Sequence, residues 1–235
     1  MSGSDGGEQV EVVPNQVFIG CPWKTFRPKY TRLVTELVKK YPLSYVIVGR
    51  GDEQEAKELL QVIKEKLYSS SFAIFDATGG NANVSLEFGL AEANRIPRAI
   101  YLSSHAASRT GNADSAIIAD LAGKRRNQYA RESQLRSLLS EASTAHNYTK
   151  RFEKFLQTRL GRKSKGEKKR ARALALKVIH YMDSQLQVRR DDLVQALLAD
   201  QVAYQRREVD SMIRGLHQEG LVIVTRGRYA TVTIG

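Results

Sequence analysis

Four short apolar runs set the terms on which this chain can fold. VFIG (17–20), YVIV (45–48), FAIF (72–75) and AIYL (99–102) are each flanked by turn residues, and they are too short for buried helices. Such runs read as strands buried on both faces, the condition of a parallel sheet covered by helices. The segments between them carry helical period: TRLVTELVKKY, then EQEAKELLQVIKEKLY with Leu59, Leu60, Ile63 and Leu67 on one face, then VSLEFGLAEANR. Asp52, with Glu55 three residues on, makes a capping-box pattern at the second helix. The β-α-β-α-β-α-β order predicts an α/β fold, a doubly wound parallel sheet of the flavodoxin or Rossmann kind. AIIA (116–119), after the irregular loop SSHAASRTGNADS, is a candidate fifth strand.

A different rhythm follows. Residues from Arg131 to Leu160 read as helix with a break around Ala145 to Tyr148, leading into GRKSKGEKKRAR, a basic Gly- and Ser-containing stretch that marks a boundary. Helices are expected at about 168–183, 190–199 and 204–219, then LVIVT, a tight RGR turn and YATVTI. Three helices followed by a hairpin is the winged-helix order. The expected divisions are a flexible leader (1–16), a sheet domain (17–145), a helical basic linker (146–166) and a smaller winged helix-turn-helix domain (167–235).

Charge separates these parts. The net charge is +12; from Arg151 onward 18 Lys and Arg face 9 Asp and Glu, so that third holds +9 of it. A basic C-terminal domain points to an acidic partner such as DNA or RNA. No apolar run is long enough for a membrane span, and the single cysteine, Cys21, allows no internal disulfide, which suits a reducing, cytoplasmic setting. The four histidines lack metal-ligand spacing, and neither a metal nor a cofactor is expected.

In a doubly wound sheet, ligands sit beyond the carboxyl ends of the strands. FAIFD ends such a strand, which puts Asp76 at that edge. Thr78, Gly79, Gly80, Asn81 and Asn83 then bring backbone amides toward a ribose or phosphate at a helix N-terminus. Glu87 lies one turn into the helix. A carboxylate aimed at an anomeric carbon suits cleavage of a glycosidic bond, by attack or by stabilising an oxocarbenium-like transition state; a cap or ion pair on a solvated helix face is the structural alternative. Gly20, Cys21 and Pro22, ending the first strand, fall at the same edge, with Cys21 read as a small packing residue for want of a basic partner. Trp23 and Phe26 either stack a base or cover the strand edge, and Arg50 and Asp52, ending the second strand, suit a solvated turn in preference to phosphate and ribose contacts.

VFIGCPWK together with FDATGGNANVSLEFGLAEANRIPRAIYL resembles the superfamily of nucleoside 2-deoxyribosyltransferases and its bacterial Toll/interleukin-receptor-like relatives, over roughly residues 16–142. In that superfamily a similar D-x-T-G-x-N-x-N-V-x-x-E-x-G-x-A pattern supplies a glutamate that is nucleophile or catalytic acid in N-glycosidic cleavage. The resemblance implies that role for Glu87, with Asp76 beside it, and close helix packing at Gly89 and Ala91. Asp120 and Tyr129 match the last strand-to-helix segment. The loop from Ala77 to Leu86 carries no second acid, so hydrolysis of a nucleotide, NAD or a nucleic acid is expected in preference to transfer between bases. Family likeness also implies a homo-oligomer. The order of domains is similar to that of toxic effectors of retron anti-phage systems, which implies a defence role, with a reverse transcriptase and its small DNA as partners.

In a winged helix the third helix enters the major groove and the wing reaches phosphate or minor groove. Tyr204, Gln205, Arg206 and Arg207 open that helix, while Met212, Ile213 and Leu216 are expected in the core. Arg226 and Arg228 sit at the wing tip. Lys168, Lys169 and Arg170, with Lys163, Lys165 and Arg172, read as a flexible basic stretch for phosphate contacts. Three functions stay open at this point: an N-glycosidase joined to a nucleic-acid-binding module, a nucleotide-sensing DNA-binding regulator without turnover, and a scaffold using both domains for protein contacts.

Overall fold

The computed structural model describes residues 10–49, 58–104, 126–161, 163–183, 187–200, 204–225 and 230–235. Among them, the first elements are β1 (Val13–Gly20), α1 (Trp23–Leu37), β2 (Ser44–Val46), α2 (Leu59–Tyr68), β3 (Ser70–Asp76), α3 (Ala82–Ala93), β4 (Arg98–Ser103) and β5 (Arg126–Tyr129). Then come α4 (Glu132–Ala145), α5 (Asn147–Leu160), α6 (Lys165–Met182), β6 (Val188–Arg189), α7 (Arg190–Leu198), α8 (Arg206–Gln218), β7 (Val222–Thr225) and β8 (Thr231–Ile234). The Asp52–Glu55 pattern, Arg50, AIIA, His105, Asp120 and the RGR turn lie outside the described residues.

Five strands make an all-parallel sheet in the order β2-β1-β3-β4-β5, with helices interleaved along the chain. VFIG, FAIF and AIYL lie within β1, β3 and β4, and YVIV enters β2 with Tyr45 and Val46. β1 starts earlier than expected, at Val13, inside the segment read as leader; Val13 N–H donates to Ser69 O at 2.8 Å and the Gln16 amide reaches Lys66 O and Ser69 Oγ. The described fifth strand is the polar RNQY, paired with β4. Its place at the sheet edge explains the composition, because an edge strand has only one neighbour and needs no continuous apolar run.

The chain divides into two compact units, Met1–Pro28 with Val46–Arg131, and Lys29–Tyr45 with Glu132–Gly235. In the first unit, Phe18 and Phe75 from adjacent strands pack with Phe88 of α3; the ring centroids of Phe75 lie 6.1 Å from Phe18 and 5.5 Å from Phe88. Ile63 and Leu67 from α2 and Val84 and Ala91 from α3 join that cluster. Full burial of such side chains contributes about 1.5–3 kcal/mol each. Ala91 is buried as expected from the resemblance. Gly89 instead faces outward, with nothing within 4 Å of where a Cβ would stand.

In the second unit the break between α4 and α5 falls at His146, whose Nδ1 accepts the Tyr148 N–H at 3.2 Å and caps α5. The order is α6, β6, α7, α8, β7 and β8, and β6 joins the last two strands in a three-stranded antiparallel sheet ordered β6-β8-β7. This is the winged-helix order, with a two-residue strand, β6, that is too short to leave a sequence pattern. Val209, Met212, Ile213 and Leu216 form the buried face of α8. The basic stretch expected to be flexible is instead helical. Ser164 Oγ accepts the Glu167 N–H at 3.3 Å and Glu167 Oε2 accepts the Ser164 N–H at 2.9 Å, a capping box that starts α6 at Lys165. Among the described residues no helix is long and apolar enough to cross a membrane.

Ser164→Ala removes the acceptor of that cap. Its expected cost is about 1 kcal/mol of unfolding free energy, read as a lower urea midpoint at unchanged slope.

Candidate functional site

The strand order reverses direction between β1 and β3, and in sheets of this order such a switch point opens a crevice at the carboxyl edge. Register brings the relevant ends together: Gly20 is level with Phe75, Asp76 with Tyr101, and Ser103 with Tyr129. Asp76 is fully buried and tied down. Its Oδ1 accepts the Thr78 N–H at 3.0 Å and its Oδ2 accepts the Tyr129 hydroxyl at 2.6 Å, while Thr78 Oγ1 accepts the Ser103 N–H at 2.8 Å. These bonds lock the ends of β3, β4 and β5. Burial and the Asp76 carboxylate push the Tyr129 hydroxyl well above its usual range, so it stays a donor.

The loop leaves β3 through two glycines in the left-handed region, Gly79 at φ 76° and Gly80 at φ 66°. That conformation is why glycines stand there, since the space around Gly79 is open. Asn81 then caps α3: its Oδ1 accepts from Asn83 N–H at 2.9 Å and Val84 N–H at 3.3 Å. Of the amides expected to meet an anion, those of Thr78, Gly80 and Asn83 are already engaged, on Asp76 Oδ1, Ala77 O and Asn81 Oδ1 respectively. Gly79, Gly80 and Asn83 are exposed, whereas Thr78 is buried inside the network.

Glu87 occupies the buried face of α3, between Val84 and Ala91, and is only 8% exposed. The solvated-face alternative is therefore not what the fold adopts. Its Oε2 is buried and has no hydrogen-bond partner among the described residues. Burial pushes its carboxyl up to about 8, so near neutrality it is mostly a neutral acid. That oxygen lies directly over Gly20. A Cβ at Gly20 would fall far inside van der Waals distance of Glu87 Oε2, and 2.7 Å from Phe75 Cδ1. Glycine at the end of β1 is what gives this carboxyl its room.

Cys21 feels the same groups. Its thiol is pushed up to about 12, chiefly by burial and further by Asp76 and Glu87, with Arg27 acting the other way. It stays protonated and is no nucleophile. Pro22 is buried, and its carbonyl accepts the Phe26 N–H at 2.9 Å in the first turn of α1. Phe26 is buried as packing, whereas Trp23 lies over Gly49, with the Arg27 guanidinium 3.4 Å from its ring centroid. Arg27 and Ser103 left no local signal in the sequence, because their parts in the site are set by tertiary packing.

The second unit sorts the expected nucleic-acid contacts differently from their order in the chain. Lys168 and Lys169 are exposed on α6, with Lys168 Nζ 3.2 Å from Gly161 O. Arg170 pairs with Glu208 at 3.0 Å and lies 4.9 Å from the centroid of Tyr204, which is buried. Gln205 precedes α8, and its N–H donates to Glu208 Oε2 at 2.8 Å. Arg206 is held by Asp191 at 3.3 Å and Asp210 at 3.9 Å. Arg207 stands on the exposed face of α8, in line with Ser211, Arg214 and Gln218 at helical spacing. Arg214 and Gln218 complete that stripe; stepping from Arg207 by four, seven and eleven residues would have found them. Arg226 and Arg228 lie outside the described residues.

No known family's profile matches the chain, and no curated protein matches it. Among solved structures, a conserved protein from Enterococcus faecalis V583 is similar over 54% of this chain and 98% of its own, at 13% identity and a TM-score of 0.38.

Two outcomes are expected from the Glu87–Gly20 contact. Gly20→Ala should destabilise the protein by about 1–3 kcal/mol in urea unfolding, since a methyl group must displace Glu87 or Phe75. The second concerns pH. The folded state holds the Glu87 proton to about pH 8, whereas the unfolded chain releases it near the ordinary glutamate value of 4.5. Stability contributed by the bound proton is therefore present below that lower value and is lost as pH rises toward 8. Glu87→Gln should flatten the decline over this window.

Proposed function

We propose that the first unit is an N-glycosidase of the nucleoside 2-deoxyribosyltransferase kind, acting on a nucleotide, NAD or a nucleic acid, and that the second unit binds DNA or RNA. The observation that carries this reading is Glu87 Oε2: buried, without a partner among the described residues, and set over Gly20 at the switch point of the sheet. A neutral carboxylic acid in such a place suits proton donation to a leaving base. As the bond from the anomeric carbon to the base nitrogen breaks, its electron pair goes to the base and the Glu87 proton follows. The carboxylate left behind stabilises the positive charge on the sugar. Water then adds to the anomeric carbon and returns a proton to Glu87, so hydrolysis leaves the enzyme unchanged.

Asp76 serves this chemistry by position. Both its oxygens are engaged by Thr78 and Tyr129, which fixes the strand ends that frame Glu87. The same commitment favours hydrolysis over transfer, because no second acid is presented to handle an incoming base. It also favours the competing reading, a nucleotide sensor without turnover. Likeness to retron effectors supports a defence role, with a reverse transcriptase and its small DNA as partners, and family likeness supports a homo-oligomer.

Incubation of wild type and Glu87→Gln with NAD, nucleosides, nucleotides and short DNA, followed by chromatography for free base, tests the assignment. Release by wild type is expected, with a loss on the order of a hundredfold or more in Glu87→Gln and falling activity above about pH 8. Ligand retention with no release from any substrate would instead support the sensor. For the second unit, Arg207→Ala and Arg214→Ala should each weaken DNA binding and reduce the salt slope by about one. Unchanged slopes in both variants would remove α8 as the nucleic-acid face.

A further inference from the structure

A cavity of about 320 Å³ lies within the second unit, walled by the C-terminal end of α5, the N-terminal half of α6 and the first turns of α8. Its size is at the lower end of the range for small-molecule sites. Four cations line it: Arg159, Lys163, Arg170 and Arg207. Two carboxylates also line it, Glu167 and Glu208, so four positive against two negative charges leave +2. Both carboxylates are already committed. Glu167 accepts from the N–H and hydroxyl of Ser164, and Glu208 accepts from Arg170 and from the Gln205 N–H. Each acid thus serves a helix start, and the first turns of both α6 and α8 contribute to the lining, through Glu167 and through Arg207 and Glu208.

The remaining lining has a different character. Leu160, Leu174 and Met212 give the cavity an apolar floor. Tyr204 lines it as well, at 5% exposure, and its hydroxyl is buried with no partner among the described residues. Arg159 is pinned on the α8 side, where its Nη2 donates to Ser211 O at 2.8 Å and approaches Ser211 Oγ at 2.5 Å. A bare inorganic anion would use the rim and leave the floor unfilled. A wholly apolar ligand would strand the cations. The complementary ligand joins a multiply charged phosphate to a flat, weakly polar ring body.

We infer that this cavity is a second nucleotide site, separate from Glu87, which takes a nucleoside phosphate with its phosphate on Lys163 and Arg207 and its base over the apolar floor. The same chemistry has two sources, a free nucleotide and the 5′-phosphorylated terminal nucleotide of a strand held along α8. This site does not depend on catalysis by the first unit.

The test uses full-length protein carrying Glu87→Gln, with 8-azido-2′-deoxyadenosine 5′-monophosphate as photolabel and peptide mapping by mass spectrometry. Label is expected within residues 159–174 or 204–212. Ala171→Leu, which fills the cavity while keeping a good helix former, and Lys163→Glu, which reverses a rim charge, should each weaken that labelling about tenfold. Labelling within residues 72–90 should be unchanged by either variant. Competition by unlabelled mononucleotide names the free nucleotide as ligand; competition by a 5′-phosphorylated oligodeoxynucleotide but not its 5′-hydroxyl twin names the strand end. Absence of label from both second-unit segments, or label that both variants leave unchanged, would overturn the inference. Absence of base release by wild type would count against the N-glycosidase reading and leave this site standing.

Discussion

Taking a carboxyl group out of water while leaving one of its oxygens without a partner carries a penalty of about 1–3 kcal/mol, and more once the group is charged. The first unit is organised around that penalty at Glu87. The same face of α3 supplies Val84, Phe88 and Ala91 to the core, so the helix cannot rotate the acid outward without exposing them. Phe75 fixes the strand beneath through its contacts with Phe18 and Phe88. Gly20 removes the one side chain that would occupy the space of Oε2. Three independent features therefore hold an unfavourable group in place, and the protein lowers the cost by keeping the group protonated.

Asp76 shows that the fold can satisfy a buried acid when it needs to. It lies at the end of β3 in the same unit and is more deeply buried than Glu87, yet both of its oxygens accept hydrogen bonds. One acid ties strand ends together; the other is left with an open valence for a hydrogen bond. That asymmetry is the strongest physical argument that Glu87 serves chemistry or ligand binding, because packing alone is satisfied by an apolar residue of similar volume.

Period and punctuation made most of the architecture legible. The apolar runs at 17–20, 72–75 and 99–102 lie wholly within β1, β3 and β4, and the break near His146 was visible as a lapse in helical period. The remaining elements are illegible for physical reasons. β5 is a polar edge strand, and β6 has two residues, so neither carries an alternation to read. The run GRKSKGEKK reads as linker because its charge masks the Ser164–Glu167 capping box, a signal present in the letters. In the candidate site, Glu87 was legible from its place after the Gly-Gly-Asn loop. Its contact with Gly20 was not, since the two residues meet only when α3 packs over β1. On α8, reading the first few residues as a cluster put Tyr204 among the contacts. Tyr204 precedes the helix start and is buried, whereas helical geometry brings Arg214 forward on the exposed face of α8.

On the N-glycosidase reading, protonation of Glu87 has a consequence for substrate choice. An ionised glutamate beside Asp76 would concentrate negative charge where a phosphorylated sugar must approach, and would repel it. The neutral acid admits the phosphate, and the bound phosphate in turn holds the proton on Glu87 more firmly. Positive charge developing on the sugar acts in the opposite direction and favours release of that proton. The carboxyl is therefore neutral while a nucleotide binds and ionises as the glycosidic bond lengthens, which places its strongest electrostatic interaction in the transition state rather than in the bound ground state.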